Sequence, residues 1–173
     1  MNSLISRIEQ AFADISYPGD EDLTDSVYGE EPAALVDEFR GKADWRVLDV
    51  GFLDRAPDGW GSALSFFSGN ALRFYLPAYM IADIRGQLHT ADPAYRLCAS
   101  LTPLGGKQKI AKIWGGGTMG DRARAEFAAY DAEKVAVIVS YLWWKLESLG
   151  GHDEIIEQAL ENYWLARDNG DRL

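Results

Sequence analysis

Apolar residues recur along this chain mostly at helical spacing. Leu4, Ile5, Ile8, Ala11, Phe12 and Ile15 line one face of a first helix, which Ser3 is placed to cap and Tyr17-Pro18-Gly19 stops. A second helix is expected from Pro32, a residue suited to a first turn, with Glu30 and Glu31 beside its positive end. It carries Leu35, Val36 and Phe39 and ends at Gly41. Residues 42–61 are mixed: Trp45 to Val50 suits a short strand or one helical turn, and Pro57-Asp58-Gly59 reads as a turn. From Ser68, a good N-cap, Leu72, Tyr75, Leu76 and Tyr79 then share one helix face. Pro77 sits inside that helix without an N–H for the Arg73 carbonyl, so a kink, or a break with a restart at Pro77, is expected.

Beyond Pro93 a short helix is expected over 93–100. Residues 101–120 are the least helical: Leu104 to Trp114 alternates enough for a short strand or hairpin arm, and Gly115-Gly116-Gly117 reads as a flexible loop. A helix from Asp121 to Tyr130 follows. The strongest helix, 132–149, is capped by Asp131 and carries Val135, Ile138, Val139, Leu142, Leu146 and Leu149. Val137, Tyr141, Trp143 and Trp144 make it apolar almost all round, as in a buried central helix, and Gly150-Gly151 ends it. A last helix over 153–168 carries Ile155, Ile156, Ala159, Leu160, Tyr163 and Trp164. The pattern predicts a mainly α fold, a compact single-domain helical bundle spanning 1–173. An acidic loop is expected at 16–31 and a Gly/Lys-rich loop or hairpin insertion at 101–120. A small β element is expected only near 45–50 or 107–114.

Composition narrows the class. With 173 residues, 47% hydrophobic and 25% charged, the chain is long enough for a core and ordinary for a globular domain. Cys98 is the only cysteine, so no disulfide forms within the chain, and with only His89 and His152 no Cys/His zinc cluster is expected. The longest apolar run, Val135 to Trp144, falls well short of the roughly 20 residues of a spanning helix. Met1-Asn2-Ser3 opens no basic, then apolar, leader, so a cytoplasmic protein without a membrane association is expected.

The net charge of −10 is unevenly spread. Residues 1–60 hold 14 acidic and 5 basic side chains, residues 61–125 hold 3 and 8, and residues 126–173 hold 10 and 4. Such a chain repels nucleic acid and suits a basic protein partner. The densest acidic stretch, Asp20, Glu21, Asp22, Asp25, Glu30 and Glu31, is the candidate partner-binding surface, with a solvated loop as the plain alternative.

Chemical motifs are weak. Gly115-Gly116-Gly117-Thr118-Met119-Gly120 fits G-x-G-x-x-G but lacks a βαβ context, and Asp121 sets a negative charge where a phosphate would bind. Asp20, Asp22, Thr24, Ser26, Tyr28 and Glu31 have calcium-loop spacing, yet Asp25 stands where that loop turns on glycine. Cys98 reads as a buried small hydrophobe, His152 as a surface cap, and His89 as a base without a partner. No catalytic residue, metal ligand or cofactor is assigned. In the basic middle, Arg73, Arg85, Lys107, Lys109 and Lys112 are candidates for an anionic-ligand cleft near the helix at 69–84. The plain alternative is internal pairing with the acidic ends.

Ala63-Leu64-Ser65-Phe66-Phe67-Ser68, followed by Ala71-Leu72-Arg73-Phe74-Tyr75-Leu76-Pro77-Ala78-Tyr79-Met80, resembles the signature of an uncharacterised bacterial domain family. Phe127, Tyr141-Leu142 and the Ala159-Leu160, Tyr163-Trp164 ending are similar too, so the resemblance runs from about residue 45 onward and takes in Ile8 to Phe12. Gly69-Asn70 and the Gly/Lys-rich 104–120 segment depart from it. The resemblance implies a small helical cytoplasmic protein and brings no catalytic residue. Phe74, Tyr75, Leu76, Pro77 and Tyr79 then read as a structural box. The function expected is a non-catalytic binding protein of immunity or inhibitor type that neutralises a basic partner such as a bacterial toxin. The alternatives are a small-molecule binder or enzyme using the cleft, and a scaffold with exposed aromatics.

Overall fold

Side-chain caps set most helix starts in the computed structural model, which describes residues 2–26, 28–55, 63–112 and 115–170. Asp44, Asp49, Ser68, Thr118, Asp131 and Asp153 each accept a hydrogen bond from a backbone N–H two or three residues ahead. Each satisfies a donor that a first helical turn leaves unpaired. The helices are α1 (Asn2–Ala11), α2 (Glu30–Phe39), α3 (Val50–Asp54), α4 (Gly69–Ile84), α5 (Pro93–Cys98), α6 (Met119–Phe127), α7 (Ala132–Ser148), α8 (Glu154–Ala159) and α9 (Leu165–Gly170). A π turn, Leu160–Trp164, joins α8 to α9. The fold is mainly α. Among the described residues strand pairing is limited to two isolated bridges, Thr24 with Phe67 and Lys109 with Thr118. None of these helices is long and apolar enough to cross a membrane.

The chain divides into two compact units, Met1–Pro93 and Ala94–Leu173. In the first, α4 is the core helix: Leu72, Tyr75, Leu76, Tyr79 and Met80 are fully buried, and Phe74 and Ala78 are nearly so. Aromatic rings gather on it. Phe39 from α2 lies 4.8–4.9 Å from Phe52, Phe67 and Tyr75, and Phe67 stacks on Tyr75 at 5.1 Å. The expected break at Pro77 does not occur, and α4 runs unbroken from Gly69 to Ile84. Packing all round this helix outweighs the one backbone hydrogen bond that proline removes.

The strand alternative at 45–50 is corrected. Trp45–Val47 is a 3-10 turn capped by Asp44, and α3 starts behind Asp49. Each aspartate offers its carboxylate to local N–H groups, which favours turns over a ladder. Two helix starts also differ. α1 includes Asn2, so Ser3 lies inside its first turn, and α2 begins at Glu30, with Pro32 still in the first turn. The Pro57-Asp58-Gly59 turn lies outside the described residues.

The second unit is built on α7, whose Val135, Ile138, Tyr141 and Leu142 are fully buried, while Trp143 is 45% exposed. Trp164 from the π turn is fully buried, lies 5.1 Å from Phe127 and donates its indole N–H to the Leu97 carbonyl at 3.2 Å. The hairpin arm expected at 107–114 shrinks to the bridge of Lys109 with Thr118, closed by Ile110 N–H to Gly117 and Met119 N–H to Gln108. Ile113 and Trp114 lie outside the described residues. Residues 105–107 form a 3-10 turn. Gly105 there is a close-packing position: a Cβ on it would stand 2.0 Å from the Ala99 carbonyl oxygen. α6 begins at Met119, two residues before the expected Asp121, because Thr118 is its cap.

Candidate functional site

The acidic segment is tied to the first unit by its own side chains. Gly19, at φ +95°, leads into a 3-10 turn over Asp20–Asp22. Glycine suits that left-handed backbone, which side chains with a Cβ rarely adopt. Asp20 accepts hydrogen bonds from the Tyr17 hydroxyl and from Gly41 N–H at 2.8 Å. The Tyr17 bond and then the Gly41 bond hold the Asp20 carboxyl below its ordinary value. Tyr17 itself is pushed up to about 12, by burial first and then by its bond to Asp20.

Asp22 faces the start of α4. Its carbonyl accepts from the Ser68 hydroxyl at 2.6 Å, and its carboxylate accepts from the Asn70 amide at 2.7 Å. Leu23 is fully buried, and the Thr24 hydroxyl donates to the Phe66 carbonyl at 2.6 Å. Residues 17–24 are therefore anchored at several points. Among the six candidate partner-binding carboxylates, Asp20 and Asp22 make the contacts just described, Glu21, Asp25 and Glu30 are exposed, and Glu31 is half-buried.

A depression of about 390 Å³ opens beside this segment. Residues 14–18, Asp22, Asn70 and Arg73 line it. Arg73 donates through Nη2 to the Asn70 Oδ1 at 3.0 Å, so Asn70 links the Arg73 guanidinium to the Asp22 carboxylate. Tyr17, held by Asp20, sets its ring edge-on to Phe74 at 5.5 Å.

The other candidate cations do not join Arg73 here. Arg85 follows the C-terminal end of α4, about 18 Å along the helix axis at about 1.5 Å per residue, and is exposed. Lys107, Lys109 and Lys112 are exposed and belong to the second unit. Phe74, Tyr75, Leu76, Pro77 and Tyr79, the structural box, are all buried in α4.

Cys98 is a buried free thiol. His152 is exposed and meets Glu157 at 2.9 Å, with Asp153 acting as the cap. The Glu157 hydrogen bond, then its charge, raises the His152 pKa. Among the described residues no three histidine, cysteine or acidic side chains are grouped to hold a metal ion. At the glycine-rich run the start of α6 is closed by its own residues, because Thr118 and Asp121 bond each other reciprocally.

Two groups that sequence reasoning missed matter to the architecture. The Asp54 carboxylate accepts from three successive backbone N–H groups, His89, Thr90 and Ala91, at 2.7–3.0 Å. The Arg167 guanidinium donates to the Phe127 and Tyr130 carbonyls, each at 2.6 Å, and to the Tyr163 hydroxyl at 3.1 Å. Neither contact has a local spacing that announces it, since all five backbone partners lie more than thirty residues away in sequence.

One protein-family profile, described as "Family of unknown function (DUF6714)", matches residues 1–168. No curated protein and no solved structure matches the chain.

Proposed function

We propose, for a chain that belongs to this family of unknown function and takes no activity from it, a non-catalytic binding role of immunity or inhibitor type. The protein neutralises a basic protein partner, such as a toxin, in the bacterial cytoplasm. The observation that carries this reading is the exposure of Glu21, Asp25 and Glu30 on a segment that Asp20, Asp22 and Thr24 anchor. An ordered array of carboxylates loses little freedom when a cationic surface docks, and the charge excess of residues 1–60 steers the encounter.

The test is a pull-down with the tagged protein from its own cell extract, washed at low and at high salt. One stoichiometric basic protein, retained at low salt and lost at high salt, is expected. The triple variant Glu21→Lys, Asp25→Lys, Glu30→Lys keeps Asp20, Asp22 and Thr24, which make the named anchoring contacts. With an unchanged circular-dichroism spectrum, it is expected to slow association of that partner by roughly tenfold or more, read by surface plasmon resonance. Equal association rates for the variant and the native protein overturn the reading.

A further inference from the structure

We propose that the lysine-bearing turn before α6 docks onto the acidic segment of a second copy of this chain. Lys107, Lys109 and Lys112 are exposed, and among the described residues none of their ammonium groups meets a carboxylate. Two exposed apolar side chains lie close by in the same turn, Leu104, 82% exposed, and Met119. Lys107 N–H donates to the Leu104 carbonyl at 3.3 Å, and Met119 N–H donates to the Gln108 carbonyl at 2.8 Å. The turn therefore offers apolar and ammonium groups together. The acidic segment offers the matching set: the exposed carboxylates of Glu21, Asp25 and Glu30, with Tyr28, 70% exposed, between the last two. Opposite charges then meet beside a shared apolar contact of Leu104 with Tyr28.

Both faces are held in place before they meet, which lowers the ordering cost of association. Gly106 and Gly120 press backbone against backbone, since a Cβ on Gly120 would stand 2.9 Å from the Gly106 carbonyl oxygen, and the bridge of Lys109 with Thr118 closes the turn. The acidic segment is tied down by Asp20, Asp22 and Thr24. An extended polyanion would lie along other, acidic parts of a molecule with net charge −10, whereas a compact acidic segment touches only the turn. Charges beyond about 8 Å are largely screened at 0.15 M salt, so the local pairing decides the contact. The contact covers the carboxylates offered to a basic partner, so a second copy and that partner exclude each other; that consequence alone rests on the partner reading.

The test is sedimentation velocity of the full chain from about 10 µM to about 1 mM. The weight-average sedimentation coefficient is expected to rise with concentration at about 0.15 M salt and to stay at the monomer value at about 1 M salt. Two charge-reversed chains extend the test: Lys107→Glu, Lys109→Glu, Lys112→Glu in one, and Glu21→Lys, Asp25→Lys, Glu30→Lys in the other. Each alone sets like charges against each other and is expected to sediment as a monomer. Mixed in equal amounts they set opposite charges together again, and association is expected to return. A native chain that stays monomeric at every concentration overturns the proposal, and that result needs no variant to fold. Association that survives either reversal, or a mixture of two folded variants that stays monomeric, overturns it too. A monomeric native chain that still captures a basic protein removes this contact alone, and self-association with no captured protein removes the partner reading alone.

Discussion

Asp54 shows how one carboxylate can organise a segment far from it in sequence. Burial pushes its pKa up, but the N–H groups of Thr90, Ala91 and His89 outweigh burial and hold it below the ordinary 3.8. A depressed folded-state pKa adds stability above the unfolded value, and that contribution is lost as pH falls through the folded value. Asp54→Asn is therefore expected to cost about 1–3 kcal/mol at neutral pH in urea unfolding. The gap between variant and native protein should shrink as pH drops below about 4. A gap independent of pH would contradict the charge argument.

Tyr79 is the opposite case. Its hydroxyl is buried with no hydrogen-bond partner among the described residues. Burial first, then the charges of Asp54 and Glu38, raises its pKa well above the ordinary value, so the phenol stays protonated. Tyr79→Phe removes an unsatisfied group and keeps the ring, so stability is expected to hold or rise by about 1 kcal/mol, read as a melting temperature.

At the scale of elements, the helix ends are where side chains did the most. Among the α-helices whose N-caps are described, every one except α2 is capped by an aspartate, serine or threonine just before its first turn. Ser68, Asp131 and the stop at Gly150-Gly151 were legible for that reason. The C-terminal end of α6 was not legible, because its carbonyl partner is Arg167 from α9. Arg167→Ala is expected to destabilise the protein by about 2–3 kcal/mol in chemical denaturation. Arg167→Lys should recover less than half of that, since one ammonium cannot span the positions a planar fork reaches. Full recovery by lysine would show that charge alone matters there. The π turn at Leu160–Trp164 was equally hidden: it buries the adjacent Tyr163 and Trp164 together, which regular helical spacing does not predict.

At the scale of the whole molecule, the dominant quantity is the net charge of −10. Self-repulsion of that size opposes compaction and is screened as the Debye length shortens from about 30 Å at 0.01 M salt to about 8 Å at 0.15 M. Melting temperature is therefore expected to rise over that range, by about 2–4 °C for each kcal/mol of repulsion relieved. A fall would mean that favourable ion pairs, such as Arg96 with Glu126 at 2.6 Å, outweigh the repulsion. The same charge excess underlies the partner reading.

Helical class, most helix positions, the burial of the 132–149 helix and the acidic excess were all determined by the sequence itself. They follow from periodicity, capping chemistry and composition, which act over a few residues or add up without reference to shape. Only the tertiary structure decided which acidic side chains are anchors and which face solvent. It also decided that α4 passes through Pro77 unbroken, and that Arg73 shares a depression with Asp14 and Asp22. Those outcomes depend on contacts between segments distant in sequence, such as Asp22 with Asn70 and Asp20 with Gly41, and no local spacing encodes them.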